Sequence, residues 1–184
     1  MKNKNILIGV TGGIAIYKTC ELVRLFVKNG NPVKVVMTEN STKLISPITF
    51  RSLGRSAVYT DTFADADEGG IEHINLAQWA DAFLIAPATA NTIGKMARGI
   101  ADNLLTTTAM ALPESTPIFI APAMNVNMWN NIFVRENMEK ITARNNCHII
   151  GPETGMLADG TVGAGRMSEP LAIFEAVKKI SANN

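Results

Sequence analysis

The hydrophobic positions change period along the chain in a regular order. A short apolar run, Ile6 to Ile8 with Val10, stops at Gly12 and Gly13. Apolar positions then recur at three- and four-residue intervals, at Ile16, Cys20, Leu22, Val23 and Val27. The first pattern is that of a buried strand, the second that of a helix with one apolar face. Asn29-Gly30-Asn-Pro32 supplies a helix stop, and Val33 to Met37 reads as a second strand closed by Thr38. Strand, helix and strand within about thirty residues predict a βαβ unit with parallel strands and a right-handed crossover.

The alternation continues. Short helical stretches are expected over 40–45 and 48–53, and an extended segment over 57–59. Residues 61–70, acidic and ending in glycines, read as a mobile surface loop. Ala82 to Ala86 is the clearest central strand, followed by a loop, Pro87-Ala-Thr-Ala-Asn91, and a helical pattern from Ile93 to Ala101. A helix over 103–111, a strand over 117–121, a charged helix over 129–145, a last strand over 147–150 and a closing helix over 170–181 complete the chain. Five or six strands alternating with helices predict one α/β domain, residues 1–184, built on a Rossmann-like, doubly wound parallel sheet. Ligands are expected at the carboxyl ends of its strands.

Composition narrows the function classes. With 17 basic and 16 acidic residues the chain has no electrostatic footprint for nucleic acid or an anionic membrane. Its 47% hydrophobic content is that of a globular protein, and no apolar run approaches bilayer-spanning length. Cys20 and Cys147 stand in no metal-type spacing and read as buried thiols, so no metal site is expected, and a soluble, reducing, cytoplasmic setting is.

Four strand-end loops carry the candidate chemistry: Thr11-Gly12-Gly13, Thr38, Pro87 to Asn91, and Pro122-Ala-Met-Asn125. A glycine turn leading into a helix start suits an anion, because unpaired N–H groups and the helix dipole face it. The turn lacks the full G-x-G-x-x-G fingerprint, and the glycines would equally serve only to turn the chain.

Six segments in order resemble the flavin-containing cysteine decarboxylases, flavoproteins that oxidatively decarboxylate a terminal cysteine. They run from Gly9-Val-Thr-Gly-Gly-Ile-Ala-Ile-Tyr-Lys18 through Glu72-His-Ile-Asn-Leu76, Ile85-Ala-Pro-Ala-Thr-Ala-Asn-Thr92, Gly99-Ile-Ala-Asp-Asn103 and Ala121-Pro-Ala-Met-Asn125 to Gly163-Ala-Gly-Arg-Met167. The resemblance implies a flavoprotein three-layer sandwich. It implies FMN with its phosphate at Thr11, Gly12 and Gly13 near Thr38, and its ring system against Ala88, Thr89 and Asn91. Read from the residues alone, Thr89 and Asn91 serve as a turn cap for the following helix.

The resemblance also assigns roles in the reaction, in which the flavin accepts hydride from the CH₂–SH unit before CO₂ leaves. His73 matches the family base, where the bare sequence suggests a capping or packing histidine; His148 reads as structural. Asn125 is expected to hold the substrate carboxylate. Met128 is placed near substrate or flavin, with a core methionine as the alternative. Arg166, in a glycine-rich stretch 153–169 read as a flap over substrate or an ordinary surface loop, is a candidate for a substrate phosphate.

The chain departs from the family at Leu157-Ala-Asp-Gly160, where the family has a cysteine that donates a proton in the last step. Asp159 is expected either to replace that thiol, to mark a mutated position, or to leave the reaction at the enethiol. The substrate implied is 4′-phosphopantothenoylcysteine of coenzyme A biosynthesis. A peptidyl cysteine and a non-catalytic, flavin-binding regulatory subunit are the alternatives. The family further implies a homo-oligomer, trimer or dodecamer, with sites between subunits. It also implies a phosphopantothenate–cysteine ligase as fusion or pairing partner, the chain being freestanding or an excised half.

Overall fold

The computed structural model describes residues 2–63 and 71–181. Most of the acidic stretch read as a mobile loop, residues 64–70, lies outside the described residues. Six parallel strands form one sheet: β1 (Ile6–Val10), β2 (Val33–Met37), β3 (Val58–Tyr59), β4 (Ala82–Ala88), β5 (Ile118–Pro122) and β6 (Cys147–Ile149). Their order across the sheet is β3-β2-β1-β4-β5-β6. The order reverses between β1 and β4, and such a switch point opens a crevice at the strands' carboxyl ends.

Side-chain alternation along the strands divides the core in two. Ile6, Ile8, Val10, Leu84 and Phe119 face one cluster, with Leu22, Val23 and Phe26 of α1 (Ile16–Lys28), Phe50 of α3 (Pro47–Gly54), and Ile173 and Val177 of α9 (Pro170–Ile180). Leu7, Phe83, Ile85, Ile118 and Ile120 face the other, with α4 (Glu72–Trp79), α5 (Ala90–Arg98), α6 (Leu104–Ala111) and α8 (Ile132–Thr142). A sheet buried on both faces reads as continuous apolar runs, which is why the strands stood out. The result is the three-layer α/β sandwich expected.

Three local expectations change. The central strand does not stop at Ala86: β4 runs through Pro87 to Ala88, with a register shift against β5 between Ile85 and Ala88. The loop that followed is short, because Thr89 Oγ1 accepts from Thr92 N at 3.4 Å and caps α5, which starts at Ala90 rather than Ile93. The helix expected over 129–145 is α8, three residues later at its start and ending at Thr142, and a separate turn of helix, α7 (Val126–Trp129), precedes it; each begins where an asparagine side chain captures a backbone N–H. Asn125 Oδ1 accepts from Asn127 N at 2.7 Å and Asn131 Oδ1 from Phe133 N at 3.0 Å.

Residues 153–166 are not an irregular flap. They form an antiparallel hairpin of β7 (Glu153–Met156) and β8 (Val162–Arg166) outside the main sheet. Glycines seat it on the loop after β5. A Cβ at Gly163 would lie 2.6 Å from Val126, and one at Gly165, whose φ is +140°, would lie 2.2 Å from the Met124 carbonyl oxygen. Met124 N donates to Gly165 O at 2.9 Å, so the two backbones are in direct contact. Among the described residues no helix is long and apolar enough to cross a membrane, and no group of histidine, cysteine, aspartate and glutamate side chains is arranged to hold a metal.

Candidate functional site

A cavity of about 570 Å³ opens at the switch point. The turn after β1 (Gly12, Gly13) and the first turn of α1 make one wall, Thr89 and Ala90 a second, and Ala123 to Asn125 with Met128 a third. The hairpin closes the remaining side with Met156 to Asp159 and Gly165 to Met167. Seven residues singled out from the sequence therefore meet at one place: Gly12, Gly13, Thr89, Asn125, Met128, Asp159 and Arg166.

Five others do not line it. Thr11 is buried, and its hydroxyl donates to Pro87 O at 2.7 Å and accepts from Thr89 N at 3.2 Å. That leaves its proton committed to the sheet, so it ties the two turns together behind the cavity instead of facing an anion. Ala88 is fully buried in β4, and Asn91 is exposed on the first turn of α5. Thr38, the cap position of α2 (Glu39–Thr42), stands next to the cradle, since a Cβ on Gly12 would meet Asn40 Cβ at 2.7 Å. His73, near the start of α4, is half-buried, and its Nδ1 is shielded from solvent without a hydrogen-bond partner.

Asn125 is held on both sides of its amide. Its Oδ1 caps α7, which directs Nδ2 outward, where it donates to Asp159 Oδ2. Asp159 Oδ1 in turn accepts from Thr161 N at 3.0 Å and Thr161 Oγ1 at 2.6 Å. These bonds, the Thr161 hydroxyl first, hold the exposed Asp159 carboxyl below the usual aspartate range. Burial does not raise it, so Asp159 is a carboxylate at neutral pH and has no proton to give. The reading of Asp159 as a replacement acid does not fit this geometry.

Sequence reasoning gave Lys18 no role, yet it lines the cavity while only 7% exposed. Its ammonium donates to Met167 O and to Glu169 Oε1, both at 2.9 Å, and Glu169 also pairs with Arg166. Lys18 thus anchors the root of the hairpin to α1. The signal was available: Lys18, Leu22 and Phe26 fall four residues apart on the buried stripe of α1. Its hydrogen bond is the first cause of the lowered Glu169 pKa.

A depressed carboxyl pKa adds stability above the group's ordinary value, 4.5 for Glu169, and that contribution is lost as pH falls below it. Comparing melts at roughly pH 6 and pH 3 should show Glu169→Gln losing about 1–3 °C less on acidification than the unsubstituted protein. An equal loss in both would show that the tether contributes nothing.

The comparisons bear on what the cavity holds. The family model described as "Flavoprotein" matches residues 1–181. The chain belongs to the flavoprotein family. This flavoprotein is 47% identical over 179 residues to the coenzyme A biosynthesis bifunctional protein CoaBC of Bacillus subtilis (strain 168), covering 97% of the chain but 43% of that relative. The chain therefore spans less than half the length of the bifunctional relatives it matches. It is 38% identical over 176 residues to the probable phosphopantothenoylcysteine decarboxylase of Streptococcus mutans serotype c, covering 96% of this chain and 98% of that one. Among solved structures, a PPC decarboxylase mutant complexed with pantothenoylaminoethenethiol matches with a TM-score of 0.85 and 33% identity, over 97% of this flavoprotein and 98% of that chain. The FMN binding protein AtHal3 matches with a TM-score of 0.84 and 32% identity, over 100% and 99%.

Proposed function

We propose that this flavoprotein binds FMN in the switch-point cavity and oxidatively decarboxylates 4′-phosphopantothenoylcysteine on the way to coenzyme A. The observation that carries the reading is the Asn125 amide, turned outward by its own helix cap toward a cavity walled by the glycine turn. It offers a fixed, neutral N–H donor for a carboxylate. A cation there would stabilise the ground-state carboxylate more than the transition state, in which the charge is leaving the oxygens, whereas a neutral donor orients it and lets CO₂ leave.

The residues fit a flavin. Gly12 is required by the protein itself, since a Cβ would collide with Asn40. Gly13 is not: a Cβ would make ordinary contacts, 3.4 Å to Thr89 Cγ2 and 3.5 Å to Pro87 Cγ, and its φ needs no glycine. A group seated in the cavity is what a side chain there would meet. The Gly12-Gly13 turn and the positive end of α1 would seat the phosphate, although Gly13 N and Ile16 N already donate within the turn, to Thr11 O at 2.8 Å and Gly13 O at 3.0 Å, and Thr89 and Ala90 would border the ring. Bound FMN supplies the electron sink that a cysteine carboxylate lacks. Gly13→Ala is accordingly expected to leave the melting temperature of the flavin-free protein within about 1 °C while weakening FMN retention about tenfold, read by flavin absorbance after ultrafiltration.

Substrate is positioned from two sides in this proposal. Asn125 takes its carboxylate and Met128 borders it. Arg166, partly engaged by Glu169, would take its phosphate. His73 does not line the cavity of its own protomer, so its role as base requires a second copy that brings the imidazole across. The homo-oligomer, as trimer or dodecamer, is supported by apolar side chains exposed around the rim, Ile14 at 63%, Tyr17 at 61% and Met156 at 70%. Pairing with or fusion to phosphopantothenate–cysteine ligase, and a cytoplasmic setting in keeping with free Cys20 and Cys147, belong to the same reading.

One observation favours a second reading of the last step: Asp159 is held ionised, so no acid stands where the family cysteine does. Release at the enethiol follows unless another donor serves. Purified protein given 4′-phosphopantothenoylcysteine, with CO₂ and product mass followed, tests both. Full 4′-phosphopantetheine supports complete turnover, a product two hydrogens lighter supports arrest, and no CO₂ defeats the assignment.

A further inference from the structure

Asp159 has no assigned task in decarboxylation, yet it accepts three hydrogen bonds in the cavity wall. Its two oxygens are used differently. Oδ1 is clasped by the backbone N–H and hydroxyl of Thr161, at 3.0 and 2.6 Å, which fixes the carboxylate on the turn of the hairpin. Oδ2 accepts from Asn125 Nδ2. Because Asn125 Oδ1 is held by Asn127 N at 2.7 Å, this is the one side of the amide that faces outward.

We propose that Asp159 is an internal competitor of the substrate carboxylate for the Asn125 amide, so that substrate binding requires the hairpin turn to let go. The inference rests on the function proposed above, in which Asn125 holds that carboxylate. An amide nitrogen has two hydrogens, but both leave one atom, so a second carboxylate on it would stand a few ångströms from the first. Like charges at that separation disfavour each other, and one must leave. The contact therefore discriminates. A ligand bearing a carboxylate displaces Asp159, whereas the product, which has lost it as CO₂, leaves the amide to Asp159 again. Asp159 is in this sense a positioning residue for the turn and a selector between substrate and product.

The side chain must accept on both oxygens, and that makes the test specific. Asparagine offers one acceptor oxygen, so Asp159→Asn cannot satisfy Thr161 and Asn125 together. With the FMN-loaded protein kept anaerobic, flavin bleaching is followed against the concentration of 4′-phosphopantothenoylcysteine. 4′-Phosphopantetheine is titrated in parallel as a competing ligand. Asp159→Asn is expected to lower the half-saturating substrate concentration about tenfold and leave the inhibition constant of 4′-phosphopantetheine unmoved. Thr161→Val, which removes one bond of the clasp, is expected to lower the substrate value about threefold.

A half-saturating concentration that stays the same or rises in Asp159→Asn overturns the inference. An equal shift for both ligands overturns it as well, since a general loosening of the hairpin would act on both. Absence of bleaching and of substrate binding in the unsubstituted protein overturns the proposed function together with it, whereas bleaching with no shift overturns the inference alone.

Discussion

Asn125→Asp is expected to lower the second-order rate of flavin bleaching by 4′-phosphopantothenoylcysteine roughly 100- to 1,000-fold, with the melting temperature almost unchanged. The two effects separate because the side chain has two jobs. Its Oδ1 caps α7 through Asn127 N, and aspartate caps a helix about as well as asparagine. Its Nδ2 is the only part that offers a proton outward. Replacing it by a second carboxylate oxygen sets a charge against Asp159 and against any incoming carboxylate. Loss of a charge-assisted hydrogen bond plus like-charge repulsion amounts to about 3–4 kcal/mol, which is the stated range of rates. Stopped-flow absorbance under anaerobic conditions gives the rate, and a thermal melt gives the control. A variant that bleaches at the unsubstituted rate would remove Asn125 from the site.

The second large effect is structural. Gly165→Ala places a Cβ 2.2 Å from the Met124 carbonyl oxygen, in a backbone region that side chains rarely adopt. Neither partner is a flexible side-chain end, so the strand and the loop after β5 have to separate. Unfavourable φ and forced repacking together come to roughly 2–5 kcal/mol. This exceeds what holds a two-stranded hairpin in place, since such a hairpin is marginal by itself. The hairpin should come off the loop, carrying Asp159 and Arg166 away from Asn125. Amide exchange over 153–166 should accelerate by at least about tenfold while the six-stranded sheet keeps its protection. Uniform loss of protection throughout the chain, or none, would count against this docking.

The main sheet was legible because its strands are buried on both faces and its helices on one. Runs such as Ala82 to Ala86 and the spacing of Ile16, Leu22 and Val23 admit few alternatives. The corrected boundaries share a cause that periodicity does not register, namely side chains that capture backbone N–H groups. Thr89 starts α5 three residues earlier than its apolar pattern, and Asn131 starts the charged helix three residues later than expected. The hairpin was missed for another reason. Its strands lie outside the sheet, and its glycines, read as marks of a loose loop, are there to let two backbones touch.

At the site, short motifs brought the right loops together, since the carboxyl ends of adjacent parallel strands converge whatever their sequence. They were silent on which face of a residue does the work. Thr11 looked like a phosphate ligand, and its hydroxyl turned out to be spent on Pro87 and Thr89. Asp159 needed coordinates, because whether a carboxyl is raised or lowered depends on neighbours two and thirty-four positions away.

The Thr11 bridge has a mechanical consequence. One hydroxyl carries the β1–β4 ladder past its last paired residues, Gly9 and Ile85, into the two turns that floor the cavity. The asparagine loop is joined to that bed by Ala123 N donating to Ala88 O at 3.0 Å, and the hairpin by Lys18 at its root, so the hairpin turn around Asp159 is the part of the wall farthest from a fixed tether.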